Sequence, residues 1–321
     1  MKKKIIFGLI GLAVIFLFPI IDNNTYHLYL LNRALIHAIL ATGLVFLTGF
    51  AGQISLGQAG FYAIGAYSSA YFSTRLGLPI FLGIIIGIGI SVLAGFLLSI
   101  PSFKLKAFFL SLVTIAFGQI INMLVVNLQP ITGGPYGFFG IPFYHVGDYM
   151  LSFENVFWLL GVILLFTLYI MYKIKHSHYG RAMLAMNSDD VATETCGIST
   201  KKLKIAAFGF SAGLAGLAGA LYAHLAGFLS PEPFTFFESS NFVAMAVVGG
   251  LRDMLGGVVG GIGLTLLPEF LRFGGWENYY LMVTSIIVIV IIIFMPKGLA
   301  PLLGNMFKKI FRVKSSNTKT L

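Results

Sequence analysis

Long apolar runs alternate with short polar or glycine-rich segments along the chain. The first run, 5–21, follows three lysines, and its 17 residues correspond to roughly 26 Å of helix at about 1.5 Å per residue. This length is close to the thickness of a bilayer core, and the polar residues that follow contain no small-residue cleavage site. The pattern therefore predicts a retained transmembrane helix rather than a removed signal peptide.

Nine further apolar runs have lengths that suit transmembrane or partly re-entrant helices, which brings the predicted number to about ten. Two of them, 61–74 and 240–251, are short enough to be half-helices. We therefore predict an all-α polytopic membrane protein in which residues 1–321 form a single transmembrane domain with a short basic tail at 308–321. The nine runs are 28–48, 61–74, 80–100, 107–128, 155–172, 204–225, 240–251, 257–273 and 279–295.

The composition of the chain agrees with this pattern. Of its 321 residues, 58% are hydrophobic and 10% are charged, whereas soluble proteins contain roughly 25% charged residues. Too few polar side chains remain to cover a surface in water, which excludes a soluble globular enzyme, a disordered chain and a coiled coil. The single cysteine, Cys196, excludes an intrachain disulfide bond.

Basic residues are distributed unequally between the two sides of the predicted bundle. With the N-terminus in the cytoplasm, 18 of the 21 Lys and Arg residues lie inside, and Arg33, Arg75 and Arg272 lie outside. Positive residues concentrate on the cytoplasmic side of membrane proteins. The distribution predicts cytoplasmic termini, an external segment at 129–154 and a cytoplasmic loop at 173–203.

A glycine-rich segment, Gly49 to Tyr67, interrupts the second and third predicted spans and contains five glycines. Its amide and hydroxyl groups can line a solute path, or they can hold helices together through hydrogen bonds and close small-residue contacts. The two interpretations are compatible. The candidate path residues are Gly52, Gln53, Ser55, Gly57, Gln58 and, in the seventh span, Ser211.

A second glycine-rich segment, 132–142, is external in the predicted orientation. Its glycines at 133, 134, 137 and 140 are incompatible with a long helix. The segment is either an ordinary external turn or a loop that closes over the solute path. Its candidate residues are Thr132, Gly133 and Gly134.

The cytoplasmic segment 177–198 contains two short predicted helices. The first covers 179–186, and Asn187 can cap the second, whose first turn would contain Asp189 and Asp190. Apolar residues of the first helix would have little to pack against in water, so we favour a docking element for a cytoplasmic partner over a loop on the membrane surface. These apolar residues are Met183, Leu184 and Met186.

Several other chemistries lack support in the sequence. The chain has no Gly-Lys pair and therefore no phosphate-binding loop for ATP. His176 and His178 form a weak metal pattern that a solvated loop explains better, and His224 is interpreted as a hydrogen-bonded packing residue. No basic stripe with interleaved aromatic residues indicates nucleic-acid binding.

Six segments in this order resemble the LivM-type permeases of ATP-driven branched-chain amino acid importers, from about residue 30 to about residue 303. One departure is Phe138, where the family usually has leucine. The segments are GQISLGQAGFYAIGAY (52–67), TGGPYGFFGIP (132–142), YGRAMLAMNSDDVATETCGI (179–198), FSAGLAGLAGALYAHLAGFLSPEPFTF (210–236), VVGGLRDMLGGVVGG with LLPEFLR (247–261 and 266–272), and PKGLAPLL (296–303).

The resemblance implies a transport subunit in a bacterial-type inner membrane, which binds no cofactor or metal itself. It implies a second permease of the LivH type, two ATP-binding subunits of the LivG and LivF types, and an extracytoplasmic solute-binding protein, with membrane lipid around the bundle. The docking loop of the family falls on Gly180, Arg181, Asp189, Asp190, Glu194 and Gly197.

Three alternatives remain at this point. The chain could belong to a related importer for urea or short amides. It could be a secondary amino acid transporter or channel, against which the lack of mid-membrane carboxylates argues. It could be an integral membrane enzyme, for which the sequence contains no paired nucleophile and base.

Overall fold

The structure is a computed structural model. It describes residues 24–102, 107–147, 149–273, 279–295 and 298–300. The predicted first span, 5–21, and the basic tail, 308–321, lie outside the described residues.

The described residues form an almost entirely helical chain. The only paired strands among them are β1 (His145–Val146) and β2 (Tyr149–Met150), which form a small antiparallel hairpin. The helices are α1 (Thr25–Leu44), which continues as a π-helix (Val45–Phe50), α2 (Gln58–Arg75), α3 (Ile80–Ser102), α4 (Ala107–Asn127), α5 (Gln129–Thr132), α6 (Phe153–His176), α7 (His178–Ser188), α8 (Asp190–Thr195), α9 (Thr200–Ala226), α10 (Phe236–Gly249), α11 (Gly256–Phe273) and α12 (Tyr280–Phe294).

Every predicted span within the described residues coincides with a helix. Five of these helices are long and apolar enough to cross a membrane, and α10 and part of α12 are shorter apolar helices. The run predicted at 240–251 ends earlier, because Gly250 leaves the helix with a φ of 115°. The prediction of an all-α polytopic membrane protein is therefore confirmed.

The long helices differ in how much of their surface is covered. The apolar window of the α1 span is 89% buried, whereas the windows of α3 and α4 are 28% and 17% buried. The outward faces of α3 and α4 are apolar, with Phe81, Leu97 and Phe108 more than two-thirds exposed. We therefore place α1 at the centre of the bundle and the exposed faces of α3 and α4 against lipid.

Glycines allow α2, α3 and α9 to approach each other closely. A Cβ atom at Gly65 would lie 2.0 Å from the carbonyl oxygen of Gly216, and one at Gly219 would lie 1.9 Å from that of Tyr62. Any side chain at these positions would push the helices apart. The high glycine content thus serves the backbone contacts that are typical of packed membrane helices.

Arg33 lies within a helix, as its place in the predicted run at 28–48 implies. The charge distribution placed this residue with the external ones, but it lies in the third turn of α1, about 12 Å along the helix from Thr25 at about 1.5 Å per residue. Its side chain is half-buried. Arg33 is therefore an ionisable residue within a span.

Candidate functional site

The chain interrupts its helices between α1 and α2. After the π-helical turn, residues 51–57 are not helical, and α2 begins at Gln58. The N-terminus of α2 meets the N-terminus of α10, since the amide of Ala59 donates a hydrogen bond to Ser239 Oγ at 2.9 Å. Two helices therefore start at the same place inside the protein.

The depth of this junction follows from a second hydrogen bond. Gln58 Nε2 donates to Ser211 Oγ at 3.1 Å, and both side chains are buried. Ser211 lies eleven residues after Thr200, which is about 16 Å along α9 at about 1.5 Å per residue. The start of α2 is therefore near the middle of the long helix α9. The structure brings together two candidate path residues that are 153 positions apart.

The polar side chains of the interruption are buried and incompletely bonded. Gln53 Oε1, Ser55 Oγ and Gln58 Oε1 have no hydrogen-bond partner among the described residues. A buried polar atom without a partner costs about 1–3 kcal/mol. These three oxygens are therefore available to a polar solute or to water, as the path interpretation requires.

The two candidate glycines are constrained in different ways. Gly52 has a φ of 68°, and a Cβ atom there would lie 2.5 Å from Asn187 Oδ1. Gly57 has an ordinary φ of −111°, but its Cβ atom would lie 2.2 Å from the carbonyl oxygen of Thr114. Gly52 requires glycine for its backbone conformation, and Gly57 requires it for close contact with α4.

The segment predicted to be external is fixed to the C-terminal end of α9. Thr132 is buried, and its hydroxyl lies within hydrogen-bond distance of the carbonyl oxygen of Val125, at 2.6 Å. Gly133 and Gly134 both have positive φ and lead into a single 3-10 turn, Gly134–Tyr136. Phe138 exchanges backbone hydrogen bonds with Leu229, just after α9. Closure over a path stays a prediction.

The segment predicted to be cytoplasmic forms the two expected helices, α7 and α8, but the cap of α8 differs from the predicted one. Asp189 rather than Asn187 caps α8, since Asp189 Oδ1 accepts the amide hydrogen of Ala192 at 3.0 Å. The prediction for Met183 and Met186 was wrong, because both are buried against the rest of the chain, and only Leu184 is partly exposed. The most exposed apolar side chains of this pair of helices are Tyr179 and Val191.

The predicted coupling residues fall into two groups. Gly180 is buried, and a Cβ atom there would lie 2.2 Å from the carbonyl oxygen of Ile174, so it packs α7 against α6. Asp190 forms an ion pair with Lys204, and Glu194 Oε1 accepts a hydrogen bond from Thr200 Oγ1 at 2.9 Å. These two contacts hold α8 against the start of α9. The second group, Arg181, Asp189 and Gly197, is exposed, and Glu194 is also exposed although it makes its hydrogen bond to Thr200.

One hydrogen bond joins α7 to the residues just before the interruption. Asn187 Nδ2 donates to the carbonyl oxygen of Gly49 at 2.8 Å, in the last turn before the chain leaves α1. Asn187 is also the neighbour of Gly52. The end of α7 is therefore in direct contact with the start of the interrupted segment.

His224 is held by hydrogen-bond partners inside the helix bundle. His224 is buried, with one ring nitrogen 2.9 Å from Ser69 Oγ and the other 2.8 Å from the carbonyl oxygen of Pro142. This agrees with the packing role expected from the sequence. Within the described residues, no group of three His, Cys, Asp or Glu side chains is placed to hold a metal ion.

The sequence reasoning missed a set of residues beside the junction. Tyr29, Arg33 and His37 recur at every fourth position on α1 and share one face. The ring of His37 lies 5.4 Å from that of Phe242, between centroids, and Glu238 lies in the first turn of α10. A charged residue within an apolar helical run was the signal that could have identified this face.

An interrupted span with buried polar groups at mid-depth, inside a bundle of apolar helices, is typical of a membrane permease. The chain belongs to the family described as "Branched-chain amino acid transport system / permease component", whose family model matches residues 26–293. The resemblance to LivM-type permeases is therefore confirmed.

Three relatives illustrate this membership. The chain is 32% identical to the high-affinity branched-chain amino acid transport system permease protein LivM of Escherichia coli, over 94% of this chain and 75% of the relative. It is 31% identical to the LivM protein of Salmonella typhimurium, over 90% and 72%. It is 27% identical to the ribose import permease protein RbsC of Haemophilus influenzae, over 82% of each chain. No solved structure matches the chain.

Proposed function

We propose that this chain is the transmembrane permease subunit of an ATP-driven importer for leucine, isoleucine and valine. The observation that carries the proposal is the junction of α2 and α10, where buried, incompletely bonded polar oxygens lie near the middle of the bundle. A zwitterionic solute needs polar partners to cross a region of low dielectric constant. The names of the LivM relatives support the substrate class.

The proposed assembly contains a second permease, two ATP-binding subunits and an external solute-binding protein. Similarity to a probable LivH permease of Methanocaldococcus jannaschii, 29% identical over 63% of this chain, supports a related second permease. ATP would be bound and hydrolysed by the partner subunits. The exposed Tyr179 and Val191 on the cytoplasmic helices give the proposed ATP-binding subunits an apolar contact surface.

A transport assay tests the substrate and the energy source together. The complete complex, with its cognate binding protein outside the liposomes and ATP inside, should accumulate labelled leucine, isoleucine and valine. Uptake of urea or ribose, without uptake of these amino acids, would contradict the proposed substrate. Amino acid uptake that follows an ion gradient and needs no ATP would support a secondary transporter instead.

Cysteine labelling tests the proposed orientation. Cys196 is exposed in the loop that we place in the cytoplasm, whereas Tyr149 is 65% exposed in the hairpin that we place outside. In intact cells, an impermeant thiol reagent should leave the native chain unlabelled and should label a Tyr149→Cys, Cys196→Ser variant. The native chain should react only after permeabilisation, and the reverse pattern would invert the topology.

A further inference from the structure

An aromatic cluster lies between α10, the first half of α2 and the C-terminal part of α9. The ring of Tyr62 has its centroid within 5.5–5.6 Å of those of three other rings. Tyr67 extends the cluster, with its ring 5.3 Å from that of Phe234. The aromatic cluster consists of Tyr62, Tyr67, Tyr222, Phe234 and Phe242.

Two opposite charges lie beside this cluster on different helices. Arg33 on α1 lies one turn before His37, whose ring is 5.4 Å from that of Phe242. Glu238 lies in the first turn of α10, directly before Ser239, which accepts a hydrogen bond from the amide of Ala59 on α2. Both charged side chains are half-buried. A cation and an anion therefore lie beside the same group of rings.

The two charges are not neutralised by each other. Among the residues that the structure describes, Arg33 and Glu238 form no ion pair with each other. Arg33 Nε is buried without a hydrogen-bond partner, and Glu238 Oε2 has only a long contact, 3.5 Å, from Asn241 Nδ2. Ionisable groups within a membrane bundle are expensive and mark the pathways of solutes or ions. This pair has unused bonding capacity that a solute could occupy.

The aromatic cluster also contains hydroxyl groups that could bind a solute through hydrogen bonds. The hydroxyl groups of Tyr62 and Tyr67 are buried without hydrogen-bond partners among the described residues. The cluster lies directly beyond the interruption. Tyr62 is one turn along α2 from Gln58, which bonds to Ser211, and Glu238 is next to Ser239, which bonds to the start of α2. A solute that leaves the cluster therefore enters the proposed path.

We infer that Arg33 and Glu238, together with the aromatic cluster, form a passage site that binds the zwitterionic backbone of an amino acid. The Arg33 guanidinium binds the carboxylate, since its planar donors match two carboxylate oxygens. Glu238 binds the ammonium group, which the faces of the tyrosine rings also attract. The rings contact the apolar side chain. This inference rests on the proposed function and assigns residues to the substrate.

Removal of either charge tests the site. In the complete reconstituted complex, Arg33→Gln and Glu238→Gln should each lower leucine uptake at least about tenfold, because each removes the partner of one charge of the solute. A tenfold change corresponds to about 1.4 kcal/mol. Stimulation of ATP hydrolysis by loaded binding protein should stay within twofold. The matched controls, Arg75→Gln and Glu232→Gln, remove external charges outside the site and should keep normal uptake.

The outcomes separate this inference from the proposed function. If the unaltered complex takes up leucine and both glutamine variants do so within twofold of it, the inference fails and the proposed function stands. If the unaltered complex takes up no branched-chain amino acid, the proposed function fails first. If a glutamine variant also loses stimulated ATP hydrolysis, Arg33→Lys and Glu238→Asp, which keep the charge, decide the question. Because lysine lacks the planar pair of donors, partial recovery of uptake above the glutamine variant is the result expected for Arg33→Lys. Uptake no higher than in the glutamine variants, for both charge-keeping variants, contradicts the site.

Discussion

A Gly57→Leu variant is expected to abolish uptake of leucine, isoleucine and valine together. Even a Cβ atom at this position would lie 2.2 Å from the carbonyl oxygen of Thr114, so the larger side chain must displace the interruption from α4. Forced overpacking of this kind costs about 1–3 kcal/mol. We expect uptake of all three amino acids to fall more than about tenfold, with their relative preference unchanged, in competitive uptake by the complete complex.

A Gly52→Leu variant should have the same effect for a second reason. Its φ of 68° is strained for any residue with a side chain, and Asn187 occupies the space. The matched control is Gly89→Leu on α3, where a Cβ atom has no neighbour within 4 Å. That variant should transport normally. Loss of one amino acid with retention of the others at Gly52 or Gly57 would instead mean that the interruption selects substrates.

Reversal of two charges on α8 is expected to uncouple transport from ATP hydrolysis. In an Asp190→Lys, Glu194→Lys variant, Lys204 loses its ion-pair partner and Thr200 loses its acceptor, so α8 separates from α9. The complex should remain in the membrane, but loaded binding protein should no longer stimulate its ATPase activity. A Gly180→Leu variant, which displaces α7 from α6, should behave alike.

The control for these coupling variants is Glu232→Lys, which reverses an exposed charge beyond the C-terminal end of α9, whereas Asp190 and Glu194 lie before its N-terminal end. Its stimulated ATPase activity should equal that of the unaltered complex. Normal stimulation in the Asp190→Lys, Glu194→Lys variant would show that α7 and α8 are not the coupling element. Membrane levels of each variant, measured by immunoblotting, separate uncoupling from loss of the protein.

The helices were predictable because a membrane span must satisfy its backbone internally and needs a long apolar run. The runs at 80–100 and 107–128 therefore match α3 and α4 closely. Local turn chemistry was also readable: Gly197, predicted at the end of α8, has the positive φ expected there. These features depend on neighbours in the sequence.

Contacts between distant segments were not predictable in the same way. Neither apolar runs nor glycine spacing indicates that Ala59 meets Ser239, or that Met183 is buried against the chain. Arg33 was counted with the external residues because the charge distribution assigns residues to a side and does not separate a loop from the end of a span. Its position within an apolar run was visible in the sequence. The closeness of its helix face to α10 was not, because it depends on the packing of distant segments.

The hydrogen bond between Asn187 and Gly49 has a thermodynamic consequence. If binding of an ATPase subunit to α7 alters the affinity of the interruption for solute, linkage requires that solute alter the affinity for that subunit by the same factor. Asn187 on α7 bonds directly to Gly49, which lies just before the interruption. Coupling between the subunit-binding surface and the interruption therefore needs no intervening residues. Solute trapped in the interruption should therefore change the dissociation constant of the ATPase subunit, even without nucleotide.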